Sequence, residues 1–339
     1  MTHRTAALDV DLLVVGAGPT GLYATFYAGL RQLTVAVLDE LPQVGGQLTA
    51  LYPQKPIYDV AGLPSATGAE LVSALHRQSQ LASPAWVLGE RATVLERSSG
   101  PNGDRFVVTT DRGTRVSAGG IVVTAGIGSF SARRLAVADH LEGRGLHYHV
   151  DSAAQFADQD VVVVGGGDSA VDWANMLAPV ASSVTLVHRR RTLTAHQASV
   201  NELARHGVRV ILESEVVAVD GVDRLERVHV AARRCEPEVL PATAVVAALG
   251  QVADLGPLRA WGLQMEERRH IVVDRRMETS VPGVYAAGDV TTYEGKVRIM
   301  TTGFGEAATA VNNLAAQLRP GEAVFPGHST DLLAPAGAR

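Results

Sequence analysis

Two segments of this chain repeat one demanding pattern: an apolar run, three closely spaced small residues, then a helix-forming stretch. The first is DLLVV followed by GAGPTG, Gly16 to Gly21; the second is VVVV followed by GGGDSA, Gly165 to Ala170. In a strand-turn-helix unit the first glycine (Gly16, Gly165) permits the tight turn. The second (Gly18, Gly167) lets the backbone approach a pyrophosphate, and a small third residue (Gly21, Ala170) lets the helix pack closely with its N-terminus toward the phosphates. Thr20, in the opening turn of the first helix, joins that set of cofactor contacts. Two such loops predict two dinucleotides and an α/β fold of two Rossmann-like, three-layer ββα domains.

The strand after each loop distinguishes the two ligands. LTVAVLDE ends at Asp39, 23 residues after Gly16, where an acid meets the hydroxyls of an unphosphorylated ribose. The second unit has SVTLVHRRR: His188 stands at the same offset from Gly165, followed by Arg189, Arg190 and Arg191, and carboxylate is absent. Planar guanidinium groups bind a 2′-phosphate bidentately, so this unit is expected to take NADP(H). A solvated basic strand end is the alternative reading of the same run.

At 339 residues the chain is long enough for two domains, and only 19% of it is charged. A net charge of −5 gives no bulk attraction to nucleic acid or to an anionic membrane. MTHRTAALDV runs into the first strand without a signal-like apolar stretch, and no apolar run approaches a membrane span, so a cytoplasmic location is expected. Cys235 is the sole cysteine, in ARRCEPE; no intrachain disulfide and no metal site are expected.

The first unit is read as strands at 10–15 and 33–38, a glycine-proline-rich loop through Pro64, a helix near 68–82 and a meander of short strands ending in IVVTAG at Ile121 to Gly126. The second holds the second loop and closes with VVAALG at Val245 to Gly250. The chain then returns with PGVYAAGDV and a loop leading into a helix near 305–318. This organisation places an FAD-binding domain at 1–126 and 251–325, an NADP-binding domain inserted at 127–250, and a tail at 326–339. Asp289 in AAGDV can accept a ribityl hydroxyl, and the helix opening at TGFGE offers its positive end to the flavin; a plain turn is the alternative for GD.

GAGPTG, Asp39, GGQ at Gly45 to Gln47 (including Gly46), TAG, the second loop, HRR and AAGDV, in this order, resemble the low-molecular-weight thioredoxin reductases. The cysteine pair of those enzymes is missing: its positions fall on Tyr148 and Asp151 in YHVD. LYPQKPIYDVAGLP (Leu51 to Pro64), GGGDSAVDWAN, YEGKVR (Tyr293 to Arg298) and PGHST (Pro326 to Thr330) closely resemble the thioredoxin-reductase-like ferredoxin (flavodoxin) NADP reductases, across both domains and the tail.

The resemblance implies a homodimeric FAD enzyme that moves hydride between NADP(H) and FAD and exchanges single electrons with ferredoxin or flavodoxin. It implies FAD contacts at Asp39, Gln47, Tyr52, Ala92, Phe130, Asp289 and Thr330, with Tyr52 stacked on one flavin face and His328 of the partner subunit's tail on the other. No residue is assigned acid-base work, since the flavin carries the chemistry. The family's tract HRRxxxRA reads HRRRTLTA here, with Thr194 for the last arginine; NADPH is still expected over NADH, by a margin that is either smaller than is usual for the family or kept up by Arg191 in compensation. Asp168 beside the second loop would repel a pyrophosphate and is expected to turn away. An acidic acceptor needs a local basic surface, for which Arg133, Arg134, Lys296 and Arg298 are the candidates. Two alternatives for function stay open: a flavin reductase of a small acceptor such as a quinone, free flavin or ferric chelate, and a non-enzymatic NADPH-sensing flavoprotein.

Overall fold

The computed structural model describes residues 8–100, 103–150, 152–232 and 235–330. The chain divides into two compact units: one from Met1–Ser129 with Ala253–Arg339, and one from Phe130–Val252 inserted within it. It passes between them through two short strands, Ser129–Ala132 and Gln251–Asp254, which pair with each other.

The first unit is built on a seven-stranded sheet in which Leu8–Val15 lies between Val35–Asp39 and Arg115–Val123 and pairs in parallel with both. Leu12, Leu13 and Val14 are fully buried, because a strand covered on both faces must be apolar at every position. Ala85–Leu88 extends the sheet beyond Val35–Asp39, and Val284–Ala286 also pairs with Arg115–Val123. Helices Pro19–Leu30 and Met300–Leu318 pack against one another beside the sheet. Helix Gly68–Ser79 opens on a reciprocal capping box between Thr67 and Glu70. Ala92–Gly100, Gly103–Thr110 and Arg115–Val123 form an antiparallel meander whose strands run eight to nine residues, longer than the short strands expected.

Helix Met300–Leu318 begins five residues before the sequence reading places it. Gly303 falls in the loop of that reading, yet it lies inside the first turns for a packing reason: a Cβ there would stand 2.7 Å from Thr20 Oγ1 and 3.3 Å from the Gly288 Cα.

The second unit has a five-stranded parallel sheet, ordered Leu146–His147, Ala244–Ala247, Asp160–Val164, Ser183–Val187 and Arg209–Ile211. Alternate residues of its central strand feed two cores. Val161 and Val163 pack with Val171, Trp173 and Leu177 of helix Asp168–Leu177 and with Leu203 of helix Gln197–Arg205. Val162 and Val164 pack with Val216, Val228, Val230 and Leu240 of the antiparallel sheet Ser214–Asp220, Arg227–Ala232 and Glu238–Pro241. The result is the three-layer ββα arrangement.

Candidate cofactor sites

In the first unit, five segments remote in sequence meet at the glycine loop. Gly16 holds φ +113°, and a Cβ there would lie 2.5 Å from the Thr124 carbonyl oxygen; at Gly21 it would lie 1.8 Å from that of Gly16. Thr124 Oγ1 donates to the Gly16 carbonyl at 2.8 Å, which ties TAG to the loop. The Gly45 N–H donates to the Ala17 carbonyl at 2.8 Å, and a Cβ on Gly46 would come within 3.1 Å of the Gly18 Cα, so GGQ lies against the loop. Thr20 sits between Gly288 and Gly303, whose added Cβ atoms would be 2.9 and 2.7 Å from its Oγ1. A Cβ on Gly126 would face the Gln47 amide nitrogen at 3.5 Å. At Gly18, by contrast, a Cβ would meet no protein atom within 4 Å: the space over this glycine is open.

Asp39, at the end of its strand, accepts the Ala17 N–H at 2.5 Å and the Leu41 N–H at 2.7 Å. Burial raises its carboxyl above the usual range, against the pull of those two amides. The Glu90 N–H donates to the Asp39 carbonyl at 3.1 Å, which brings the buried Ala92 two residues further along the same chain segment. Asp289 is half-buried; burial raises its carboxyl, with Lys296 and Arg298 opposing and Glu306 adding to the rise. Tyr52 ends the short helix Gln47–Leu51, half-buried, with the Lys55 ammonium 5.5 Å from its ring centroid. Phe130, on the crossing strand, is half-buried. His328 is exposed and meets Phe325 edge-on, with ring centroids 5.4 Å apart; Thr330 is exposed at the last described position, and 331–339 of the tail lie outside the described residues.

In the second unit Gly165 takes φ +155°, and a Cβ on Gly166 would stand 2.2 Å from the His188 ring, so the imidazole lies directly against the loop. His188 Nε2 is buried without a hydrogen-bond partner among the described residues. Burial lowers its pKa, and Arg190 and Arg189 lower it further, so the ring is neutral near pH 7. Arg189, Arg190 and Arg191 are exposed, and none has an ion-pair partner among the described residues. Thr194 donates both its N–H (2.7 Å) and its hydroxyl (3.1 Å) to the Gly166 carbonyl. Here the residue that departs from the family tract fastens the chain back onto the phosphate loop. Asp168 accepts the His196 N–H at 2.9 Å.

A pyridine nucleotide-disulphide oxidoreductase family model matches residues 10–313. The chain belongs to that family. A ferredoxin–NADP reductase of a Nocardioides species is 52% identical over 96% of this chain and 98% of its own length. One from Thermus thermophilus is 45% identical over 97% and 99%. Within the family, therefore, the chain stands with the ferredoxin–NADP reductases. Among solved structures, thioredoxin reductase of T. acidophilum superposes with a TM-score of 0.77 at 26% identity, covering 91% of this chain and 98% of that one.

Tyr148 stands in YHVD, where the resemblance to the thioredoxin reductases expects the first cysteine of a pair. Its hydroxyl donates to Asp139 at 2.5 Å and accepts the Leu135 N–H at 2.9 Å, while the Arg134 guanidinium lies 4.4 Å over its ring. Asp151 lies outside the described residues.

Two of the four candidate docking cations need correction. Lys296 is not on the surface: its side chain is 3% exposed and paired with Glu306. Arg134 is exposed but engaged by Asp139 and Glu142. Arg133 and Arg298 remain exposed. Sequence reasoning also missed Glu306, His270, which meets the Asp289 carbonyl at 3.2 Å, and Arg31. The buried Arg31 donates to Asn312, the Ala323 and Val324 carbonyls and Glu322, fixing the chain just before the tail. An acid inside an alanine-rich helix and an arginine ending another carry no local motif, so no signal marked them.

Proposed function

We propose that this chain is an FAD-dependent ferredoxin–NADP reductase that works as a cytosolic homodimer. The first unit holds FAD, the second holds NADP(H), and ferredoxin or flavodoxin exchanges electrons with the flavin. The observation that carries the reading is the convergence on Thr20 of the glycine loop, the GDV turn and the start of helix Met300–Leu318, under the open space above Gly18. That cradle fits a dinucleotide with its pyrophosphate over Gly18. The orphaned His188 Nε2 and the unpaired Arg189 and Arg190 fit a ligand bearing one more phosphate.

When bound, FAD supplies the redox chemistry, accepting or giving a hydride and passing electrons on singly. The residues of the chain bind, orient and shield. The N-terminus of helix Pro19–Leu30, with Gly16, Gly18, Thr20 and Gly21, would hold the FAD pyrophosphate. Asp39 would hold the ribose, since an ionised carboxylate has about four acceptor positions and two amides use only half of them. Gly46, Gln47, Tyr52, Ala92, Phe130 and Asp289 would complete the flavin site, and His328 and Thr330 of the second copy's tail would cover it. Gly165, Gly167, Ala170, His188, Arg189 and Arg190 would hold NADP(H). With a single cysteine the chain has no dithiol to take an electron pair, which favours a one-electron carrier as acceptor.

The test is anaerobic. The purified protein is yellow, carries one FAD per chain and is bleached by NADPH; stopped-flow mixing with purified ferredoxin then restores the colour. A colourless protein refutes the cofactor assignment. Reoxidation by quinone or ferric chelate but not by ferredoxin or flavodoxin refutes the acceptor.

A further inference from the structure

Within the first unit, one buried carboxylate gathers a set of donors that none of the roles above uses. Glu306, 5% exposed on helix Met300–Leu318, accepts the Gly288 N–H at 2.7 Å on one oxygen, and the Thr291 hydroxyl, which donates to the Gly288 carbonyl at 2.8 Å, stands 3.4 Å from that same oxygen. Its other oxygen accepts the Tyr293 hydroxyl at 2.6 Å and the Lys296 ammonium. All three donors come from 288–296, so a single side chain fastens the GDV turn and the YEGK loop to the helix. The Lys296 ammonium also stands 5.4 Å from the Tyr293 ring centroid, and burial together with Glu306 pushes the Tyr293 hydroxyl up to about 12, so it stays a donor. Gly288 is thus gripped from two sides, by Thr20 of the glycine loop and by Glu306 of the helix, with Asp289 next in the chain.

A buried ion pair is a poor way to gain stability, because desolvation cancels much of the attraction and an apolar pair of similar volume does as well. Its placement beside Asp289 calls for another account. With the pair intact its net charge is zero; Lys296 lowers the Asp289 carboxyl and Glu306 raises it, so removing either half changes the charge beside Asp289.

We propose that Lys296 and Glu306 are positioning residues for the flavin: their buried ion pair locks the 288–291 turn to helix Met300–Leu318, and its balance of charge sets the reduction potential of the bound cofactor. The inference rests on the first unit being the FAD unit. Reduction adds negative charge at the flavin, so the two halves of the pair act with opposite sign. Lys296→Met leaves two carboxylates and lowers the potential. Glu306→Gln leaves an ammonium without its anion and raises it. Joining the two substitutions returns the potential toward that of the wild type while FAD still binds more weakly, because the staple is gone.

The experiment compares wild type, Lys296→Met, Glu306→Gln and the double variant by spectroelectrochemical titration, FAD dissociation constant and melting of FAD-stripped protein. Expected are opposite shifts in potential for the single variants, FAD binding weakened roughly tenfold or more in each, and recovery of the potential in the double variant. Shifts of the same sign, or no shift in any variant that keeps FAD, overturn the proposal. So does a loss of apoprotein melting temperature with FAD affinity unchanged, which is the mark of a merely structural pair. Should the single variants not fold, Lys296→Arg and Tyr293→Phe decide: both keep the charge and must keep the potential, while Tyr293→Phe, one donor short, binds FAD several-fold more weakly. Either of them moving the potential as far as a lost charge would refutes the idea. A colourless wild type, by contrast, refutes the assignment of FAD to this unit.

Discussion

Replacing Arg189 and Arg190 together by alanine is expected to separate the two nicotinamide cofactors without disturbing the fold. Both side chains are exposed and form no ion pair among the described residues, so their removal costs the folded state no more than about 0.5 kcal/mol. Each charge-assisted hydrogen bond to a 2′-phosphate contributes roughly 1.5 to 3 kcal/mol, or about 10- to 150-fold in affinity. Two contacts on one phosphate are not additive, so the double variant is expected to lose on the order of 100-fold in kcat/KM for NADPH. NADH has no phosphate to lose, and its kcat/KM is expected to stay within about twofold. Thr194 supports this separation, since its two bonds to the Gly166 carbonyl hold the loop in shape without help from either arginine. The assay is steady-state turnover with each nucleotide, alongside thermal melting. Equal losses for NADPH and NADH, or a fall in melting temperature of several degrees, would refute the reasoning and make the basic run part of the scaffold.

Two glycines of the first loop are expected to behave oppositely. Gly18→Ala adds a methyl where no protein atom lies within 4 Å, so the apoprotein melts normally but FAD is lost; Gly21→Ala drives a Cβ to 1.8 Å from a carbonyl oxygen and costs roughly 1 to 3 kcal/mol or more even without FAD. Arg31→Met strips four acceptors of their buried donor and is expected to destabilise by about 3 kcal/mol, a fall of roughly 6 to 12 °C in Tm by calorimetry. Acid should act through carboxylates whose pKa lies below the usual 3.8, such as Asp220, which accepts from Arg227 at 2.8 Å with the His229 Nε2 3.0 Å away, and Asp139, bonded by Tyr148 and Arg134. A lowered folded value means their contribution is complete above the unfolded pKa and lost as pH falls through the folded one, so Tm measured against pH should hold to about pH 5 and drop below about pH 4. Deleting the chain from Pro326 onward is expected to raise the rate of oxygen consumption with NADPH per bound FAD, with part of the FAD released as the Thr330 contact is lost; full FAD content with an unchanged oxidase rate would remove the tail from any shielding or binding role.

The sequence by itself determined what depends on local chemistry. GAGPTG and GGGDSA lie where a parallel strand meets a helix, because the turn needs Gly16 and Gly165 at positive φ and the phosphate needs room beside Gly18. Apolar runs such as DLLVV and VVVV mark strands buried on both faces, and the order of motifs along the chain marks the family. Each of these signals is carried by residues within a few positions of one another. What only the tertiary structure decided is which distant side chains meet. Lys296 looks like a surface cation in YEGKVR and is buried, because Glu306, ten residues on and inside a helix, comes back to face it. Arg134 looks free and is held by Asp139 and Glu142. Gly303 reads as the end of a loop and lies within a helix, since Thr20, far away in sequence, fills the space a Cβ would need. Hydrophobic period and turn chemistry are properties of neighbours along the chain. The partner of a charge depends on how the loops close in space, and nothing local in the sequence records that.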